Sequence, residues 1–420
     1  MHLAFAVRRG HARVAATLAA ASIQALIFAA TASAELPNSP AAAEPGSSKA
    51  DDAPPPTLLG DMGELRSAMA PYGFTFGLVE TSEVLGNFTG GVRRGAIYEG
   101  RTDANLQLDL RTEYKWPGVV FARAYQIHGR GLTASNLLNL NTASGIEALA
   151  STRLFELWYE HYLNDWLRIR IGQQAADQEF AISTNSALFI NATFGWPTLP
   201  AIALPSGGPA YPLGTPAVRA RFDPSNEVAL LSGVFNGDPA GPGPGAPQVR
   251  DPSGTSFRIG DGVLAMFEAQ YNPGHSKENG TYRLGAWFHS ERFADQRFDT
   301  AGRSLADPLS TGNPRMLGNN YSIYGIVDQP LIREKEGDAG LSGFLRLAGA
   351  PGDRNLVDFY FDTGLVYKGP FGRGDDSVGI GFAYARVGDS ARGLDRDTAF
   401  FTHSRPGRAR RCWRLAIRLR

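Results

Sequence analysis

Glu156 and Glu160 are the residues of this chain whose type and spacing come nearest to known chemistry, because two carboxyls flanking a bond could serve as acid and nucleophile of a glycoside hydrolase. Their setting argues otherwise. The run Thr152-Arg153-Leu154-Phe155-Glu156-Leu157-Trp158-Tyr159-Glu160 reads as a strand. Residues four apart on a strand point the same way but lie about 13 Å from one another. Paired catalytic carboxyls sit roughly 5–9.5 Å apart. The two glutamates are therefore read as part of a polar wall. His128, His161, His289 and His403 show no metal-ligand spacing with cysteine or carboxylates. There is neither a G-x-S-x-G elbow nor a phosphate-binding glycine loop. No catalytic residue, cofactor site or metal site is expected.

The elements that would hold such a wall announce themselves by a period of two. From Asn105 to Trp116, Leu106, Leu108, Leu110, Thr112, Tyr114 and Trp116 alternate with Asn105, Gln107, Asp109, Arg111, Glu113 and Lys115. Read as one strand, this stretch has an oily and an ionic face. Soluble strands usually run to about five or six residues, whereas about nine to eleven tilted residues cross a bilayer. The length and contrast predict lipid on one side and a water-filled interior on the other. The same alternation recurs from Tyr72 to about Val387, as in Leu167, Ile169 and Ile171 against Arg168, Arg170 and Gly172. This template yields about thirteen strands. Short connections at Trp116-Pro117-Gly118, Leu163-Asn164-Asp165-Trp166 and Asp223-Pro224-Ser225-Asn226 alternate with long ones over 129–150, 175–215, 237–261 and 292–319. That asymmetry suits a membrane barrel, although a soluble sandwich could also mix loop lengths. Tyr114, Trp116, Tyr162, Trp166, Tyr271 and Tyr367 lie at strand ends, where they would form interfacial girdles.

Composition agrees with an exported, strand-rich chain. Arg8, Arg9, His11 and Arg13 precede an apolar run from Val14 to Ala30 and the small-residue site Ala32-Ser33-Ala34, so residues 1–34 read as a signal peptide. An uncleaved anchor is the alternative. Residues 35–57 read as an Ala/Pro-rich linker, and residues 58–71 as a short periplasmic helix with Asp61 as its cap. The 41 basic and 41 acidic residues cancel, which leaves no global field for nucleic acid. Cys412 is alone, so no intrachain disulfide can form.

Six ordered runs resemble the carbohydrate-selective porin family typified by OprB. They are Leu58 to Arg66, Ala124 to Gly129, Ser144 to Ala148, Thr152 to Glu160, Gly233-Val234-Phe235-Asn236-Gly237-Asp238-Pro239, and Asn355-Leu356-Val357-Asp358-Phe359-Tyr360-Phe361-Asp362. The likeness runs from about Leu58 to about Thr402. It implies an all-β outer-membrane barrel of about sixteen antiparallel strands. It further implies a monomer that passes sugars such as glucose by diffusion across the outer membrane of a Gram-negative-type cell, with outer-membrane lipid and the barrel-assembly machinery as partners. Two departures stand out. Met62-Gly63-Glu64 replaces the family's Trp-Gly-Gly, and residues 403–420 form an arginine-rich tail where the family continues with strands. The tail reads as the product of a shifted reading frame, with a basic amphipathic helix as the alternative. On that reading the barrel, over 72–402, is incomplete.

For a sugar path the alternation nominates inward Asp109, Arg111, Glu113, Glu156, Trp158, Glu160, Arg168, Arg170, Arg219, Arg221, Glu268, Arg283, Trp287 and His289. Arginine and acid would supply strong hydrogen bonds to hydroxyls, and tryptophan an apolar face for the ring. For any one of these charges, lumen solvation or structural ion pairing is the plainer reading. By parity Arg123 falls on the outward face of its strand, so either it lies near an interface or the parity there is misassigned. The stretch from Gln174 to Thr215, with Phe180, Phe189, Phe194 and Trp196, either folds inward or forms an outer loop. Three rivals stay open: a general or differently selective porin, a secreted β-rich carbohydrate-binding protein or hydrolase, and a truncated, poorly functional porin product.

Overall fold

The computed structural model describes residues 60–403 apart from 276–278, 335–338, 371–372 and 374–375. The expected signal peptide and linker, and the arginine-rich tail after His403, lie outside the described residues. A short helix, α1 (Leu65–Met69), precedes the first strand, and Asp61 accepts the Ser67 amide at 2.9 Å.

Thirteen strands follow as one antiparallel meander in strict chain order: β1 (Phe74–Asn87), β2 (Gly95–Asp109), β3 (Gly118–Gly129), β4 (Ser151–Asn164), β5 (Leu167–Gln174), β6 (Thr215–Ser225), β7 (Val228–Asn236), β8 (Val263–Tyr271), β9 (Thr281–Asp299), β10 (Pro314–Arg333), β11 (Gly340–Gly349), β12 (Val357–Lys368) and β13 (Ser377–Val387). Short turns gather at one end and long connections at the other, as in outer-membrane barrels. Two one-turn helices, α2 (Thr198–Ala203) and α3 (Pro247–Arg250), lie in the long connections. A fifteen-residue helix, α4 (Asp389–His403), follows β13 and is tied to β9 by Arg297–Asp397 at 2.8 Å. The two-residue period gave no sign of it.

The sheet's polarity is inverted relative to a soluble protein. Leu284, Ile323 and Ile380 are each more than 60 % exposed on its outer face, while Arg219, Glu156, Glu268 and Asp362 are buried inside. A surface of that kind is stable only against lipid.

Three sequence expectations are corrected. The stretch from Asn105 to Trp116 is not one strand: β2 ends at Asp109 and residues 110–117 turn into β3. Asp109 accepts both the Arg111 amide, at 2.9 Å, and the Arg111 guanidinium, and Lys115 adopts φ 54°. Such local side-chain-to-backbone bonding competes with the ladder and ends it. Arg123 points inward together with Phe121 and Tyr125, because the inner face of β3 is itself aromatic and polarity does not mark the side. Above a bulge opposite Arg123 and Ala124, the buried parity of β4 shifts so that Phe155 and Glu156 both point inward. Lastly, half of 292–319 is strand: β9 and β10 continue to a loop over 300–313, where Asp299 accepts the Ala301, Arg303 and Thr311 amides.

Between β5 and β6 the chain from Ala175 to Gly214 folds inward, and the sheet curls around it. Phe180, Phe194 and Leu199 pack with Leu264, Trp287, Tyr324 and Phe344 in the main apolar cluster. Gly379 and Gly381 of β13 have no Cβ; one there would come within 3 Å of Leu188 or Phe194. Their absence lets the segment lie directly on the strand.

Candidate functional site

The inserted segment divides the interior into two walls. On the first, β2–β6, strand register sets charges opposite one another. Glu160, Arg170 and Arg219 form one row across β4, β5 and β6, and Tyr162, Arg168 and Arg221 the next. Glu160 accepts from Arg170 at 3.2 Å and from Arg219 at 2.7 Å. Glu179, on the inserted segment, closes the cluster by accepting from Arg219 at 2.6 Å and lying 3.3 Å from Arg170. Burial alone would raise the Glu179 carboxyl, but Arg170 and Arg219 outweigh it and hold the group down at about 2. Two cations and two anions thus balance in a buried site.

Trp158 lies beside this cluster. Its ring stacks on Phe121, with centroids 4.9 Å apart, and carries the Arg170 guanidinium at 3.7 Å. The indole face nominated for a sugar ring is therefore already occupied, and its buried Nε1–H has no hydrogen-bond partner. Glu156 is fully buried with neither carboxylate oxygen hydrogen-bonded, and Arg219 Nη1 is likewise unpartnered. Toward the long-loop end, Arg123 donates to Asp103 at 3.0 Å and to Gln178 at 3.0 Å, and Arg101 lies 5.0 Å from the Tyr125 ring. Toward the short-turn end, Arg111 pairs with Asp109 at 2.7 Å and sits 4.4 Å from the Tyr162 ring, while Arg168 and Arg221 share Asp223 at 2.8 and 2.9 Å. Tyr162 thus faces inward and is no girdle residue.

The second wall, β8–β12, has charges too, and Glu268, Asp328 and Arg346 among them hold the segment. Glu268 accepts the Ala181 amide at 2.8 Å, the Tyr324 hydroxyl at 2.8 Å and Gln270 at 2.7 Å. Arg346 pairs with Asp362 and donates to the carbonyls of Ala181, Thr193, Phe194 and Gly195 at 2.8–3.1 Å. Asp328 accepts from Ser183, Thr184 and Asn185. Of the nominated residues, Trp287 is buried in the apolar cluster and His289 donates to the Gly237 carbonyl at 2.9 Å. Arg283 is half-buried on β9, with Nε and Nη1 unpartnered. Glu113 is exposed in the turn after β2, away from either wall.

Residues 93–411 match the profile of the carbohydrate-selective porin, OprB family. The chain belongs to that family. Porin B of Pseudomonas aeruginosa is 25% identical over 360 residues, covering 81% of this chain and 76% of that protein. A solved structure of Pseudomonas putida OprB at high pH superposes with a TM-score of 0.73 at 22% identity, covering 82% of each chain, and shares the fold. The expected fold class and family are thereby shown.

In this porin the alternation brought together Glu156, Trp158, Glu160, Arg168, Arg170, Arg219 and Arg221, but it missed Asp103, Arg123, Glu179 and Arg346. Asp103 and Arg123 had a signal: opposite charges near one level of adjacent strands. Glu179 had none, because a loop residue follows no period.

Proposed function

We propose that this chain forms an outer-membrane channel through which small neutral sugars, monosaccharides such as glucose, diffuse passively along the β2–β6 wall. The observation that carries the reading is the balanced cluster of Glu160, Glu179, Arg170 and Arg219 beside the unpartnered Trp158 Nε1–H and Glu156 carboxylate. A balanced wall presents little net field to a neutral solute. Its guanidinium donors and carboxylate acceptors exchange with hydroxyls, each such charged hydrogen bond contributing about 1.5–3 kcal/mol. An ion of similar size would have to shed water without a counter-charge in excess.

Asp109, Arg111, Arg168 and Arg221 line the approach from the short-turn end, and the cluster beside Trp158 forms the selective level. Export by the N-terminal signal, insertion by the barrel-assembly machinery, a monomeric state and an outer-membrane location complete the proposal. Support for them comes from the inverted polarity of the sheet and the family membership. Liposome swelling tests the central point. Glucose is expected to enter reconstituted vesicles faster than gluconate or glucosamine; equal rates would refute sugar selectivity.

A further inference from the structure

The outward face of the sheet is dented over β8–β11. Ala269, Leu284, Gly325 and Leu347 stand in one row across these strands, and Tyr271, Tyr282, Val327 and Leu345 form the next row toward the short turns. Gly325 has no side chain, and a Cβ built there would meet nothing nearer than the Arg283 carbonyl oxygen at 3.9 Å. The result is an apolar groove of about 400 Å³ open to the outside. That volume lies in the range of ligand pockets, roughly 300–1,000 Å³. Its two ends differ. Leu284 and Leu347 make the rim at one end. At the other, the Tyr271 and Tyr282 rings lie 6.3 Å apart and the Tyr282 hydroxyl donates to Gln329 at 2.6 Å.

We propose that this groove holds one acyl chain of a phospholipid, whose ester and headgroup region lies beside Tyr271, Tyr282 and Gln329. Three observations select that occupant. The groove opens on the exposed apolar face, where hydrocarbon chains are the surroundings. Its amphipathic tyrosines sit at one end only, as rings at a headgroup boundary do. That end adjoins the connection between β8 and β9, on the side of the short connections, so the lipid belongs to the periplasmic leaflet, where outer-membrane barrels place their short turns. A lipopolysaccharide, approaching from the long-loop side, would meet the groove with its polar end reversed. The proposal rests on the membrane-spanning fold and is independent of which solute the interior passes.

Gly325→Leu fills the groove, and its backbone lies outside the left-handed region, so the substitution brings no backbone strain. Ala104→Leu, at an exposed outward position of β2, adds the same bulk elsewhere. The full chain and both variants are purified in mild detergent, checked for heat-shifted electrophoretic mobility, and examined by native mass spectrometry after exposure to palmitoyl-oleoyl phosphatidylethanolamine. The parent and Ala104→Leu are expected to retain one lipid. In Gly325→Leu retention falls roughly tenfold, because the leucine side chain takes the space and the packing contacts that the acyl chain would have in the groove. The milder Gly325→Ala gives an intermediate loss and serves if the leucine variant does not fold. No retained lipid on the parent, equal retention by the parent and the Gly325 variants, or equal loss in Ala104→Leu would overturn the proposal.

Discussion

Glu160 and Glu268 are both buried glutamates on the inner face of the same sheet, and they do different work. Glu160 is paired with guanidinium groups of its own wall, while Glu268, which also accepts from Tyr324 of β10, takes the Ala181 amide and so fastens the inserted segment. The same contrast separates the walls as wholes. On β2–β6 the charges pair along the wall, with Glu179 added from the segment, and several polar atoms are left over. On β8–β12 Glu268, Asp328 and Arg346 are buried and bonded to the inserted segment, which they anchor.

Breaking the anchor should have the largest effect. Arg346→Met removes the partner of Asp362 and takes a donor from four carbonyls, of which Thr193 keeps Tyr360 and Phe194 keeps Ser186, and loss of one member of a buried pair costs about 3–5 kcal/mol. The expected outcome is a lower urea midpoint for the heat-modifiable form and, as the segment loosens, higher single-channel conductance. Glu268→Leu tests the same wall more gently. It orphans the Ala181 amide and the Tyr324 hydroxyl, at about 1–3 kcal/mol for each buried group. Stability should fall while the preference for glucose over gluconate is unchanged.

The ionised wall should respond the other way. Arg170→Ala leaves Glu160 and Glu179 in excess and removes hydrogen bonds to hydroxyls. Glucose-driven swelling should fall roughly tenfold, the equivalent of about 1.5 kcal/mol. The reversal potential in a salt gradient should move toward cation preference. Acid provides a smaller test. The Glu179 carboxyl is depressed in the folded chain from 4.5 to about 2, so its contribution is fully present above 4.5 and is lost as pH falls through about 2. Unfolding measured across that window should show a stability loss that Glu179→Gln abolishes. Smallest of all is Glu113→Gln in the exposed turn, expected within about 0.5 kcal/mol of the parent and without effect on swelling.

Much of the architecture was legible because lipid outside and polar groups inside write a period of two into every strand. β5, β8 and β12 follow it residue by residue, and the last strand ends at Val387 as the alternation does. Legibility failed wherever that contrast was absent or overridden. β3 carries apolar side chains on both faces, so Arg123 was assigned to the wrong one. Asp109 captures the Arg111 amide and ends a strand whose alternation continues unbroken to Trp116. Arg346 carried no signal in the sequence, since its carbonyl partners are more than 150 residues distant in the chain. The candidate site was thus half readable: the row of Glu160, Arg170 and Arg219 follows from register, but Glu179 is supplied by a loop.

Thiol labelling compares the two walls in one measurement. In a Cys412→Ser background, Arg168→Cys on the ionised wall and Met266→Cys on the covered wall are exposed to a membrane-impermeant charged thiol reagent while conductance is recorded. Arg168→Cys should react, block current and be slowed by added glucose, and Met266→Cys should stay silent. Rapid, glucose-protected modification of Met266→Cys, with Arg168→Cys unreactive, would place the path on the opposite wall and contradict the account.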